Sequence, residues 1–209
     1  MNSTSYNHQV SEAIDLLKRK DPVLKQVIEV IGEFNLLIKD DNYEGLVRIV
    51  VGQQLSVIAA RSIFSRVKES LNNKITPKYV IATEDIVFYK SGLSRSKTKT
   101  IKLIAEEITQ QKLDLHSIAQ LNNEDIFNTL IKIKGIGPWT VHNYLIFVLG
   151  RLDVLPIDDI AFKRAIRLNY RLADLPSIDT IKRISENWGE YPTIASWYLW
   201  ETINRKIFS

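Results

Sequence analysis

The chain has 209 residues, 45% hydrophobic and 25% charged, enough to bury a substantial core in one domain or two closely packed subdomains and too apolar for disorder over most of its length. The absence of cysteine excludes disulfides, thiolate metal sites, a cysteine nucleophile and an iron–sulfur cluster, and fits a reducing compartment. The net charge of +4 is a mild basic bias that by itself identifies no partner, although SRSKTKTIK (94–102) clusters Arg95, Lys97, Lys99 and Lys102.

The N-terminus, MNSTSYNHQVSEAIDLL, lacks a basic stretch followed by an apolar one, so no signal peptide is expected. No uninterrupted apolar segment is long enough to span a bilayer, and no membrane partner is expected. From there the pattern is helical nearly throughout. QVSEAIDLLKRK, PVLKQVIEVIGEF, YEGLVRIVVGQQ and SVIAARSIFSRVKESL place apolar residues at three- and four-residue spacing. KTIKLIAEEI, NEDIFNTLIKI, WTVHNYLIFVL, DIAFKRAIRL, IDTIKRISENW and IASWYLWETI follow. Helix starts are signalled at Asp21-Pro22, Ser56, Ser94, Asn122/Asn123, Pro138, Asp158 and Ser177. No pair of alternating runs is joined by a hairpin turn, so the expected fold class is all-α.

Two loops break helices inside apolar stretches: GQQLS (52–56) and KGIGPW (134–139). A helix beginning at Pro138 has unpaired N–H groups and positive partial charge in its first turn. Glycines before it, Gly135 and Gly137, let an anion approach the backbone with no Cβ in the way. By chemistry alone, this turn is either helix punctuation or an anion site, and the residues do not separate the two. A third irregular stretch, LGRLDVLPIDD (149–159), ends in two aspartates.

The segment IKGIGPWT, followed about twenty residues on by an aspartate-bearing loop, resembles the signature of the helix-hairpin-helix DNA glycosylase superfamily. VRIVVGQQLSVIAARSIFSRV (47–67), SGLSRSKTKTIKLIAEEI (91–108) and GRLDVLPIDDIAFKRAI (150–166) are similar to its 3-methyladenine DNA glycosylase II, AlkA-type branch. The resemblance implies an all-α, two-lobed fold with the active site in the cleft between lobes and no N-terminal β domain. It implies a middle lobe over 43–130, and a discontinuous lobe from 1–42 plus 131–209 that contains the helix-hairpin-helix at about 123–149. The implied partner is double-stranded DNA containing damaged bases. The protein is expected to be a monomer, cytoplasmic and nucleoid-associated in a bacterium or archaeon, or nuclear in a eukaryote.

The implied chemistry is hydrolytic removal of alkylated purines from DNA. The carboxylate candidates are Asp153, Asp158 and Asp159. Read without the resemblance, Asp158 and Asp159 both cap the following helix. Matching the motif residue by residue puts the catalytic aspartate at Asp159 and leaves Asp158 as the cap. Trp139 stands where bifunctional members carry a Schiff-base lysine, and an indole cannot form that adduct, so a monofunctional enzyme is implied. Trp139 and Trp200 match aromatic walls of the base pocket, with Gln53 and Asn143 beside them, whereas Trp188 and Trp197 are assigned to the core.

Gln54 corresponds to the side chain that fills the gap left by the flipped nucleotide, and Leu55 is expected to point into the core. Ser94 and Lys97, with Gly135 and Gly137, are expected phosphate contacts. No catalytic metal and no organic cofactor is implied; the resemblance allows a monovalent cation on the carbonyls of Lys132, Lys134 and Gly137. The alternatives are a glycosylase for deaminated or oxidised bases, and a non-catalytic helix-hairpin-helix DNA-binding protein.

Overall fold

The computed structural model describes residues 3–38 and 42–207. Among them are only helices, turns and loops, in the order α1 (Ser3–Lys20), α2 (Pro22–Ile31), α3 (Asn42–Gly52), α4 (Val57–Ser70), α5 (Pro77–Ala82), α6 (Asp85–Lys90) and α7 (Arg95–Thr109). Then come α8 (Leu115–Ile118), α9 (Asn123–Leu130), α10 (Pro138–Phe147), α11 (Ile160–Asn169), α12 (Ile178–Ser185), a 3₁₀ turn (Glu186–Trp188) and α13 (Pro192–Asn204). Every helix expected from periodicity is present. The short α5, α6 and α8 are additions, each too brief to display a repeat of 3.6 residues.

The local start signals work by side-chain capping. Asp21 Oδ1 accepts from the Val23 and Leu24 N–H groups at 2.9 and 3.1 Å, Asn122 Oδ1 from Asp125 at 2.8 Å, and Ser177 Oγ from Thr180 at 3.1 Å. Each satisfies a first-turn donor that has no partner inside its helix. The one displaced signal is at the aspartate pair: the cap of α11 is Asp159, not Asp158. The Pro156–Asp159 turn, closed by Asp159 N–H donating to the Pro156 carbonyl at 3.0 Å, starts the helix one residue later than expected.

The chain divides into two compact units, Met1–Leu37 with Gly150–Ser209, and Ile38–Leu149. In the first, α13 lies against α1, α2 and α11 and buries Ile194, Ala195, Trp197, Tyr198 and Leu199. Burial this complete gives α13 apolar character all round, as a central helix requires. Trp188 and Trp197 sit in this core, as expected, with Leu17, Leu24, Phe162 and Ile166; each fully buried side chain of this size contributes about 1.5–3 kcal/mol.

In the second unit, α3 carries Leu46, Val47, Val50 and Val51 into the interior and meets α4, α7 and α10. The helix-hairpin-helix is α9, the turn through Gly135 and Gly137, and α10. Sequence reasoning grouped the hairpin's second helix with the C-terminal residues, but it falls in the unit Ile38–Leu149. The physical reason is that α10 packs on α3 and α9 and buries Val141, Tyr144, Leu145 and Ile146.

Candidate active site

In the first unit, the candidate residues stand on the loop ending at Asp159 and on the helix that carries Trp200. Thr193, fully buried at the start of α13, staples that loop: its hydroxyl donates to the Val154 carbonyl and accepts from the Val154 N–H, both at 3.1 Å. Its own N–H donates to the Leu152 carbonyl at 3.0 Å. Asp159 is 8% exposed. Its Oδ1 accepts from the Phe162 N–H at 2.7 Å and from the Trp200 Nε1–H at 3.2 Å. A helix N-terminus and an indole thus fix the orientation of a nearly buried carboxylate. The half-buried Trp200 ring is held edge-on by Phe162, with centroids 6.0 Å apart. Thr193 was missing from the expected residues, and no local pattern in the sequence marks it.

In the second unit, three segments meet: the 52–56 loop, the hairpin and α7. Gly135 has φ +94°, and a Cβ there would collide with the Thr100 side chain on α7, so packing and backbone both demand glycine. Gly137 differs. Its φ is −112°, a Cβ would meet nothing within 4 Å, and it sits at the N-cap of α10 with Pro138 following. Neither strain nor crowding explains that glycine. Gly135→Ala is therefore expected to lower the melting temperature, at a cost of roughly 1–3 kcal/mol, whereas Gly137→Ala, which changes only the N-cap preference, costs less, about 0.5 kcal/mol. Thermal unfolding of the two variants side by side checks this.

Several expected contacts have other work. The Gln53 amide does not point toward open space: its Nε2 donates to the Gly135 carbonyl at 3.0 Å and to Thr140 Oγ1 at 2.9 Å. It is a strut between the loop and the hairpin. Asn143 is buried, and its Nδ2 donates to the Trp139 carbonyl at 2.8 Å, the bond back to position i−4 that a short amide makes inside a helix. Ser94 caps α7 by accepting from the Lys97 N–H at 3.3 Å. Lys97 does not extend outward: its Nζ donates to the Val51 and Gln53 carbonyls at 2.8 and 2.6 Å.

Leu55, expected in the core, is 39% exposed, because the chain turns at Gln54 and the loop closes on itself through the Leu55 N–H to the Gly52 carbonyl at 3.2 Å. Gln54 is exposed and has φ +56°. Trp139 is half-buried at the first turn of α10.

Of the carbonyls that a hairpin cation would use, Lys134 O lies 3.4 Å from Thr100 Oγ1, and Gly137 O accepts from the Thr140 and Val141 N–H groups at 2.9 and 3.1 Å. Such an ion would have to share a Gly137 carbonyl that already accepts hydrogen bonds. Among the described residues no group of His, Cys, Asp and Glu could hold a metal. No described helix is long and apolar enough to cross a membrane.

An all-helical fold with a glycine hairpin and a helix-capping aspartate after it defines a class, and residues 47–190 match the family model for the HhH-GPD superfamily of base excision DNA repair proteins. The chain belongs to that superfamily. It is similar to DNA-3-methyladenine glycosylase 1 of Schizosaccharomyces pombe, with 35% identity over 184 residues, 85% of this chain and 81% of that protein. It is 33% identical to the alkylbase DNA glycosidase-like protein mag2 of the same yeast over 163 residues, 76% of each. Its fold superposes on the structure of S. pombe 3-methyladenine DNA glycosylase Mag1 in complex with abasic DNA, with a TM-score of 0.86, 34% identity and coverage of 92% of this chain and 97% of that one.

Proposed function

We propose that this protein is a monofunctional DNA glycosylase that flips alkylated purines of the 3-methyladenine and 7-methylguanine type out of double-stranded DNA and removes them by hydrolysis. The observation that carries the reading is Asp159: a carboxylate 8% exposed, oriented by a backbone N–H and by an indole N–H, in a chain of the base excision repair superfamily. The names of the similar yeast proteins and the abasic DNA held by Mag1 support it.

As the bond between C1′ and the purine nitrogen breaks, its electron pair leaves with the base and positive charge builds on the sugar. Asp159 stabilises that charge. Water then adds to C1′ and loses a proton, leaving an abasic site. A 3- or 7-methylpurine is cationic while still attached, so it leaves readily and is attracted to the faces of Trp139 and Trp200. Trp139 has no amine, so no Schiff base forms and the DNA strand is not cut.

Gly137 and the first-turn N–H groups of α10 grip a phosphate, which can approach that backbone because no Cβ stands in the way. Accordingly, Gly137→Ala weakens duplex binding several-fold with little loss of stability. Gln54 occupies the gap that the base leaves.

The test is incubation of the protein with methylated duplex DNA. Release of 3-methyladenine and 7-methylguanine, with intact strands and no borohydride-trapped adduct, is the expected result. Tight binding with no released base would replace this reading with that of a DNA-binding protein; a trapped adduct would overturn the monofunctional assignment.

A further inference from the structure

We propose that Lys97 is a positioning residue for Gln54, holding the backbone of the 52–56 loop so that the Gln54 side chain is presented to DNA; this rests on the glycosylase reading above. Gln54 is the one residue of that loop in the left-handed region, at φ +56°. For a residue with a Cβ this conformation costs about 1–2 kcal/mol, and Gln54 adopts it just past the end of α3, as Asn72, Gln111, Arg171 and Lys206 do past other helices.

At this helix end Lys97 adds two contacts to the backbone. Its ammonium spends two of its three N–H donors inside the protein, on the Val51 carbonyl at 2.8 Å and the Gln53 carbonyl at 2.6 Å. Val51 lies in the last turn of α3, where carbonyls lack helical partners. The Gln53 carbonyl belongs to the peptide plane immediately before Gln54, so holding that plane fixes where the Gln54 N and Cα atoms sit. Bonds from a cation to carbonyls are stronger than neutral ones, and partial burial strengthens them further. Burial also lowers the Lys97 pKa.

The same helix holds the hairpin. Thr100, one turn after Lys97 on the same face of α7, packs directly on Gly135 of the hairpin; its hydroxyl donates to the Ser96 carbonyl at 3.1 Å and lies 3.4 Å from the Lys134 carbonyl. The Gln53 side chain closes the triangle by bonding the hairpin's Gly135 carbonyl at 3.0 Å. The exposed Gln54 and the hairpin backbone are thereby set at a fixed spacing by one face of one helix. A lysine reaching for phosphate would have needed none of this.

A double-mutant cycle tests the proposal. Lys97→Met keeps the length of the side chain and removes the charge. Single-turnover base release is expected to fall about tenfold in Lys97→Met, since displacing a positioned group is costly, and by a similar factor in Gln54→Ala. In the Gln54→Ala background, adding Lys97→Met is expected to cost less than about twofold, because the two residues act as one unit. Lys97→Arg, which can still donate to both carbonyls, is expected to recover part of the rate.

Independent, multiplying losses would overturn the proposal. So would a salt dependence of duplex binding shallower by about one in Lys97→Met, the mark of a lost phosphate contact. Amide hydrogen exchange over residues 52–56 decides the matter even if the wild type releases no base, an outcome that would defeat the glycosylase reading alone. Faster exchange in Lys97→Met than in the wild type supports the loop-holding role, and unchanged exchange rejects it.

Discussion

Asp159→Asn is expected to lower the single-turnover rate of base release by roughly 10²–10³-fold while duplex affinity stays within a few-fold. The substitution removes charge and little else. An asparagine oxygen can still accept the 2.7 Å bond from the Phe162 N–H and the 3.2 Å bond from the Trp200 Nε1–H, so α11 remains capped and the indole remains oriented. On the proposed mechanism, what disappears is the negative charge that stabilises the developing sugar cation. The measurement is release of methylated bases under enzyme excess, paired with binding of the same duplex and a melting curve. If both proteins release base equally, the acting carboxylate is a different one, and Asp158 is the next to substitute. If binding collapses along with activity, the aspartate is structural.

The second large effect is on stability. Asp21, 3% exposed at the start of α2, has four donors on one carboxylate. Oδ1 takes the N–H groups of Val23 and Leu24 at 2.9 and 3.1 Å, while Oδ2 takes Tyr170 Oη at 2.5 Å and Trp188 Nε1 at 2.9 Å. Asp21→Ala removes the cap and leaves the Tyr170 hydroxyl and Trp188 indole N–H without that acceptor in the core. The expected loss is roughly 3–5 kcal/mol, seen as a fall of about 10 °C in Tm.

Tyr170→Phe removes one donor only and should cost about 1 kcal/mol. Burial and the neighbouring Asp21 push the Tyr170 phenol well above the ordinary tyrosine value of 10.0. A folded-state pKa above the unfolded one means that its stabilisation is complete below the ordinary value and is lost as pH rises beyond it. Chemical denaturation from pH 8 to 11 follows this: wild type should lose stability above about pH 10 more steeply than Tyr170→Phe. A Tm for Asp21→Ala within 2 °C of the wild type would show that the four donors find other acceptors.

Much of this was legible in the chain itself. The all-α class follows from apolar spacing, and the caps at Asp21, Ser56, Ser94, Asn122 and Ser177 follow from side chains that reach N–H groups two or three residues ahead. The Gly135-Ile136-Gly137-Pro138 turn is equally local. Interactions confined to a turn or two are written in adjacent residues. That is why periodicity and capping chemistry sufficed for them.

What depended on packing was decided only in three dimensions. Which aspartate caps α11 turned on one residue of phase, set by the Pro156–Asp159 turn and by Thr193 holding the loop 39 residues away in sequence. Gln53 looked like a pocket residue until its amide met Thr140, 87 positions on; Lys97 looked like a phosphate contact until its ammonium met the Gln53 carbonyl, 44 positions back. Polar side chains with free donors take whichever acceptor the fold brings within 3 Å, and no pattern in neighbouring residues specifies that acceptor. The sequence therefore determined the helices and the hairpin, whereas tertiary packing determined which polar groups hold the loop and hairpin in place.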